Sequence, residues 1–174
     1  MGHSLGASAA LAIARCLQKK NITVDLLVTI DNRPGRTYGR RQMSQIPDNV
    51  KVNYNFFERR DLLLSGIREN TRGPVEKAKE TVDKSNIFNV EIYGLPCPAP
   101  HLAIDNYTRP LVKILIEKAF RGSLSEVKIK DGSRYKALNQ GPPNDENAPI
   151  DLVQLCMSLG KSKQFCTVHF PAVL

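Results

Sequence analysis

A glycine–serine–glycine pattern stands at the start of the chain, at Gly2, Ser4 and Gly6, and an alanine-rich run follows it over residues 7–17. Alanine and leucine are strong helix formers, so this run predicts a helix that begins directly after the serine. Small residues on both sides of a serine permit a sharp turn from a strand into a helix, because the backbones can pass closely there. The pattern therefore favours a fold of alternating strands and helices, with Ser4 at a strand-to-helix turn.

Three apolar runs further along predict strands of a largely buried parallel sheet. Residues 22–30 form a nearly continuous run of leucine and β-branched residues that ends at Asp31. Residues 50–56 alternate between apolar and polar side chains, and residues 88–93 form the third run. Active sites of open α/β sheets assemble at the carboxyl ends of the strands, so we expect Asp31 to lie beside Ser4.

A proline-rich loop follows the third predicted strand and leads to His101. Three prolines within residues 96–100 stiffen this loop, because each ring fixes its own φ and restrains the preceding residue. A final amphipathic helix is predicted over residues 109–120, with Thr108 as its cap.

Ser4, Asp31 and His101 occur in the chain order nucleophile, acid, base. In an acyl-transfer triad, His101 would take the proton of Ser4, and Asp31 would orient the imidazole ring. The N–H of Leu5, at the start of the predicted helix, would help to stabilise the oxyanion. No cofactor is needed for this chemistry.

Each of these residues also has a simpler interpretation. Ser4 could cap the following helix, Asp31 could form a turn, and His101 could be an ordinary loop histidine. Asp61 is an alternative acid, since it follows the second predicted strand, although it could equally cap a helix over the leucines after it. His3 is expected to pack beside the site, because neighbouring side chains at such a turn diverge.

The segments GHSLGASAALAIARCL and LLVTID resemble the thioesterase and lipase branches of the α/β-hydrolases. The resemblance covers about residues 1–120 and implies an α/β fold with mostly parallel strands and flanking helices. It also implies hydrolysis of acyl esters or thioesters through an acyl-enzyme on Ser4, with Asp31 and His101 as acid and base. His101, within the segment HLAID, resembles the histidine that this family carries late in the chain. The step of 27 residues from Ser4 to Asp31 favours the thioesterase pattern.

Members of this family place several strands before the nucleophile, whereas only Met1 precedes the motif here. We therefore expect the C-terminal portion of a hydrolase sheet, with the strand over residues 22–30 exposed as an open edge. The loop that donates the second oxyanion N–H would also be missing, so we expect a weak or inactive catalyst. The alternative is a non-catalytic remnant or interaction fragment of such a hydrolase.

Two regions are expected along the chain. Residues 1–122 would form the partial hydrolase domain, with an insertion at 61–87 that holds helices over 61–69 and 74–84. Leu62, Leu63, Leu64 and Ile67 would line an acyl pocket under this insertion or simply pack on the sheet. Residues 123–174 would comprise a polar linker over 130–148 and a short apolar segment over 150–159.

Composition limits the possible partners. The net charge of +8 comes partly from a loop with Arg33, Arg36, Arg40 and Arg41, which could contact an anionic lipid or carrier protein or could simply be solvated. Nucleic-acid binding gains little support, since the chain has no Trp and no interleaving of basic and aromatic residues. No apolar run approaches membrane-spanning length.

The four cysteines form no Cys-x-x-Cys motif, so no metal site is expected. Reduced thiols slightly favour the cytoplasm, although Cys156 and Cys166 could pair in a secreted protein.

Overall fold

Strands and helices alternate along most of the chain. The structure, a computed structural model, describes residues 1–34, 39–61, 66–73, 86–95, 100–137 and 150–151. Its elements are β1 (Gly2–His3), α1 (Leu5–Gln18), β2 (Val24–Ile30), α2 (Arg40–Met43), β3 (Gln45–Ile46), β4 (Val50–Phe57), β5 (Thr71–Arg72), β6 (Ile87–Tyr93), α3 (Pro100–Phe120), β7 (Arg134–Lys136) and β8 (Ile150–Asp151).

Six of the strands form one sheet in the order β1-β2-β4-β6-β7-β8, and every described pair in it is parallel. β3 and β5 form a separate two-stranded pair. In the main register Leu26 lies beside Val52, and Tyr54 lies beside Phe88. The predicted α/β class with a parallel sheet is confirmed, and its carboxyl edge gathers the residues that follow each strand.

The two long helices pack on different hydrophobic clusters because side chains alternate between the faces of a strand. On β2, Leu27 belongs to the cluster of α1, whereas Val28 and Ile30 belong to the cluster of α3. Leu11 of α1 and Leu111 of α3 are both fully buried. Burial of such a side chain stabilises the fold by roughly 1.5–3 kcal/mol, so these helices hold the sheet edge in place from both sides.

The helix α3 begins earlier than predicted, at Pro100 instead of residue 109. Proline suits the first turn of a helix, where its missing N–H costs no hydrogen bond. His101 therefore lies in a helical first turn and not in a loop. Thr108 is not a cap, since its buried hydroxyl donates to the carbonyl oxygen of Ile104 at 2.9 Å inside the helix.

The helix predicted over residues 61–69 is wrong in its described part, because residues 66–70 have no regular secondary structure. Ile67 is buried in the same cluster as Leu11 and Leu27, so it packs on the sheet, the simpler of its two predicted roles. Leu62, Leu63 and Leu64 and the helix predicted over 74–84 lie outside the described residues.

The sheet also extends beyond residue 122. β7 lies within the predicted polar linker, pairs with β6, and buries Tyr135. The expectation of an open edge along residues 22–30 is wrong at its carboxyl end, where β1 pairs with Thr29 and Ile30. None of the helices in the described ranges is long and apolar enough to cross a membrane.

Candidate active site

Ser4 occupies a strained turn between β1 and α1. Its φ of 54° and ψ of −124° are unusual for a residue with a side chain, and such a conformation costs on the order of 1–3 kcal/mol. The turn is held by its backbone: the Ser4 N–H donates to the Ile30 carbonyl at 2.9 Å, and the Ser4 carbonyl accepts from Arg33 N–H at 3.2 Å. The side chain makes no capping hydrogen bond, so Ser4 is not a conventional N-cap.

The two glycines of the motif have different roles. A Cβ placed at Gly2 would lie 2.1 Å from the carbonyl oxygen of Gly6, a distance that real Cβ contacts do not adopt. A Cβ placed at Gly6 would meet no atom within 4 Å. The close approach of the strand to the first turn of α1 therefore requires glycine at position 2 and not at position 6.

His101 lies between Ser4 and Asp31 and is buried. Its Nε2 is 2.9 Å from the Ser4 hydroxyl oxygen, and its Nδ1 is 2.5 Å from Asp31 Oδ2. If Nδ1 carries the proton, it donates to the aspartate, and Nε2 is free to accept the hydroxyl proton of the serine. The His3 ring packs 4.9 Å from the His101 ring, and His3 Nε2 bonds to the His101 carbonyl oxygen at 2.9 Å.

Asp31 is fully buried at the end of β2. Burial raises the pKa of its carboxyl above the usual range, while hydrogen bonds from His101 and from the backbone N–H groups of Gly66 and Glu58 oppose that rise. The Gly66 N–H donates to Oδ1 at 3.0 Å, leaving Oδ2 to face the histidine. These contacts hold the carboxylate in one orientation toward the imidazole.

A buried polar network anchors the segment that carries Gly66. The Asn70 amide donates to Thr29 Oγ1 at 3.1 Å and to Asn53 Oδ1 at 2.9 Å. Asn55 donates to the Ile67 carbonyl oxygen at 3.2 Å. Asn55 thus satisfies a backbone carbonyl that has no helical partner, and together these side chains fix the segment over the sheet.

Gly66 is confined by the acid that it supports. A Cβ at this position would lie 2.4 Å from the backbone carbon of Asp31 and 2.5 Å from its Oδ1. Sequence reasoning missed Gly66, because nothing local distinguishes it from a loop glycine. It also missed the asparagines, although Asn53 and Asn55 alternate with apolar residues along β4 and were a signal of a polar face.

Two carboxylate residues, Glu58 and Asp61, lie near the end of β4, and the structure shows neither of them bonded to His101. Asp61, the alternative acid, donates its backbone N–H to Glu58 Oε2 at 2.9 Å, whereas Asp31 is the acid that bonds to His101. Glu58 follows β4 directly and is 1% exposed. Its position directly after a strand was the sequence signal that could have placed Glu58 at the carboxyl edge of the sheet, near the candidate site.

Leu5 is the first residue of α1, and its side chain is 61% exposed. N–H groups in the first turn of a helix have no acceptor within the helix, so the Leu5 N–H is suited to an oxyanion. Arg33 is exposed beside the turn. Arg36 and the side chains of Arg40 and Arg41 lie outside the described residues.

The described part of the chain holds no group of three or more His, Cys, Asp or Glu side chains arranged for a metal ion. The contacts of Ser4, His101 and Asp31 instead permit proton transfer from a hydroxyl to an imidazole whose cationic form faces a buried carboxylate.

No protein-family model, no curated protein and no solved structure matches this chain. The assignment of a function therefore depends on the geometry of Ser4, His101 and Asp31.

Proposed function

We propose that this protein is a serine hydrolase of the α/β-hydrolase type that cleaves acyl esters or thioesters. The observation that carries the proposal is the unbroken hydrogen-bond series from the Ser4 hydroxyl through both ring nitrogens of His101 to Asp31. All three residues lie at the carboxyl edge of a parallel sheet, where such sites form in α/β folds.

The reaction would proceed in two steps. His101 Nε2 takes the Ser4 proton as the serine oxygen attacks the acyl carbonyl, and the protonated histidine then gives that proton to the leaving alcohol or thiol. Water, deprotonated by the same nitrogen, releases the acid and regenerates Ser4. Asp31 stabilises the imidazolium in both steps, and the Leu5 N–H stabilises the negative carbonyl oxygen.

Two features favour an acyl substrate, and one of them favours a thioester. Leu5 and Leu102 directly follow the serine and the histidine, and their side chains are 61% and 63% exposed, which offers apolar surface to an acyl chain. The acid follows the strand directly after the helix α1, a position that the sequence resemblance associates with both thioesterases and pancreatic-type lipases, and the step of 27 residues from Ser4 to Asp31 favours the thioesterase pattern. We therefore place thioesters ahead of simple esters.

The test is covalent labelling of the purified chain with a fluorophosphonate probe, with the adduct located by mass spectrometry. Labelling is expected on Ser4, and it should fall by roughly 10²-fold or more in His101→Ala and Asp31→Asn. Asp61→Asn is the matched control and should label as the wild type does.

Substrate preference is measured with an ester and a thioester that carry the same acyl group. A folded protein in which Ser4 is not labelled would refute the proposal and favour the non-catalytic alternative. Equal loss of labelling in Asp61→Asn and Asp31→Asn would refute the assignment of the acid.

A further inference from the structure

A small cavity of about 240 Å³ lies beside the triad, at the carboxyl ends of β4 and β6. Its lining includes Glu58 and Arg59 after β4, Glu91 and Tyr93 of β6, and Arg134 of β7. The cavity holds about eight water volumes at roughly 30 Å³ each, which suits a fragment-sized ligand.

The lining has an excess of positive charge. Arg59 and Arg134 share a single buried carboxylate, with their Nε atoms 2.9 and 3.0 Å from the same oxygen, Oε2 of Glu91. Arg60 also lines the cavity, so three arginines face two glutamates. One carboxylate leaves a net positive charge on the two guanidinium groups, and this charge would attract a second anion.

Each of the two arginines also lies over an aromatic ring. The Arg59 guanidinium carbon lies 5.5 Å from the centre of the Phe57 ring, and that of Arg134 lies 5.3 Å from the centre of the Tyr93 ring. Stacking of this kind orients the guanidinium before a ligand binds, and a planar fork of N–H groups matches the oxygens of a phosphate.

Two buried polar atoms in the lining lack a protein partner. Four buried side-chain atoms in the described residues have no hydrogen-bond partner, and two of them, Glu58 Oε1 and the Tyr93 hydroxyl, belong to this cavity. Burial raises the pKa of both groups. The Tyr93 phenol carries a proton that it can donate, so a ligand oxygen would satisfy this costly unpaired hydroxyl.

We propose that this cavity binds the phosphoryl group of a small phosphorylated molecule between Arg59 and Arg134, with the Tyr93 hydroxyl as a hydrogen-bond donor. The cavity adjoins the triad through its lining, since Pro100 directly precedes His101 and Glu58 lies two residues after Phe56, whose carbonyl oxygen accepts from the Asp31 N–H at 2.7 Å.

Isothermal titration calorimetry with inorganic phosphate and with phenyl phosphate, at constant ionic strength, tests this proposal. Both are expected to bind the wild type at one saturable site. Arg134→Met keeps an unbranched side chain but removes the charge, and it should weaken binding by about tenfold or more. Tyr93→Phe should weaken binding by a smaller factor, because it removes one donor and leaves the ring.

Arg109→Met is the matched control. Arg109 is an exposed arginine that pairs with Asp105 on α3, outside the cavity lining, so its loss should not change phosphate binding. Absence of saturable phosphate binding, or equal weakening by Arg109→Met and Arg134→Met, would overturn the proposal. Acetate that binds as tightly as phosphate would overturn the choice of a phosphoryl group.

The same titration on Ser4→Ala separates this site from the proposed catalytic function. Ser4 does not line the cavity, so Ser4→Ala is expected to bind phosphate like the wild type. Failure of the serine to react with a fluorophosphonate would leave this result unchanged, and absence of phosphate binding would leave the labelling of Ser4 unchanged.

Discussion

Replacement of Gly66 by alanine is the most direct test of how the acid is held. The new Cβ would lie 2.4 Å from the Asp31 backbone carbon and 2.5 Å from Oδ1, so either the segment or the carboxylate must move. The hydrogen bond from the Gly66 N–H to the carboxylate would then be lost. A hydrogen bond to a charged group contributes about 1.5–3 kcal/mol, which corresponds to roughly a 10- to 150-fold change in rate if the loss is felt fully in the transition state.

We therefore expect Gly66→Ala to reduce kcat for acyl hydrolysis by roughly 10- to 150-fold with a smaller change in KM. The low-field NMR signal of the proton between His101 and Asp31 reports the same contact without catalysis, and it should shift or broaden. Gly6→Ala is the matched control, since its Cβ meets no atom within 4 Å. Wild-type kcat and an unchanged proton signal in Gly66→Ala would refute this account of Asp31.

Three further changes test other parts of the structure. Gly2→Ala places a Cβ 2.1 Å from the Gly6 carbonyl oxygen and should displace Ser4, so fluorophosphonate labelling should fall by about 10²-fold or more; labelling at the rate of Gly6→Ala would contradict this. Asn70→Ala removes the donor to buried Asn53 Oδ1 and should lower the free energy of unfolding by about 1–3 kcal/mol in urea titrations; an unchanged midpoint and slope would argue against an anchoring role. The raised pKa of Glu58 means that the folded state holds its proton longer than the unfolded state, so stability falls as pH rises from the ordinary glutamate pKa to the folded value. Glu58→Gln should make thermal stability less dependent on pH over that interval, and an identical profile to the wild type would show that Glu58 does not titrate abnormally.

The elements with strong local signals were predicted well from the sequence. The run of apolar residues before Asp31 became β2, and the alanine-rich run became α1, because burial and helix propensity act within a few residues. The sequence also placed Ser4, Asp31 and His101 among the candidates for one site, and the structure brings their side chains into hydrogen-bond contact.

Segments whose own residues give only weak signals of secondary structure depend on contacts with residues that are far away along the chain. The helix predicted over residues 61–69 is wrong in its described part, since Asn55 and Asn89 bond to the backbone of Ile67 and Asn70 and compete with helical pairing. β7 has only three residues and forms through pairing with β6, so its own sequence carries little indication of a strand.

By itself, the sequence determined the order of the main elements, α1, β2, β4, β6 and α3, and the identity of the nucleophile, acid and base candidates. Only the tertiary structure decided which carboxylate meets His101, that Gly66 supports it, and that Glu58 and Arg134 line one cavity. The physical reason is the distance along the chain over which each effect acts. Propensity and burial patterns act along the chain, whereas these contacts arise between strands whose parallel register brings together residues that lie tens of positions apart.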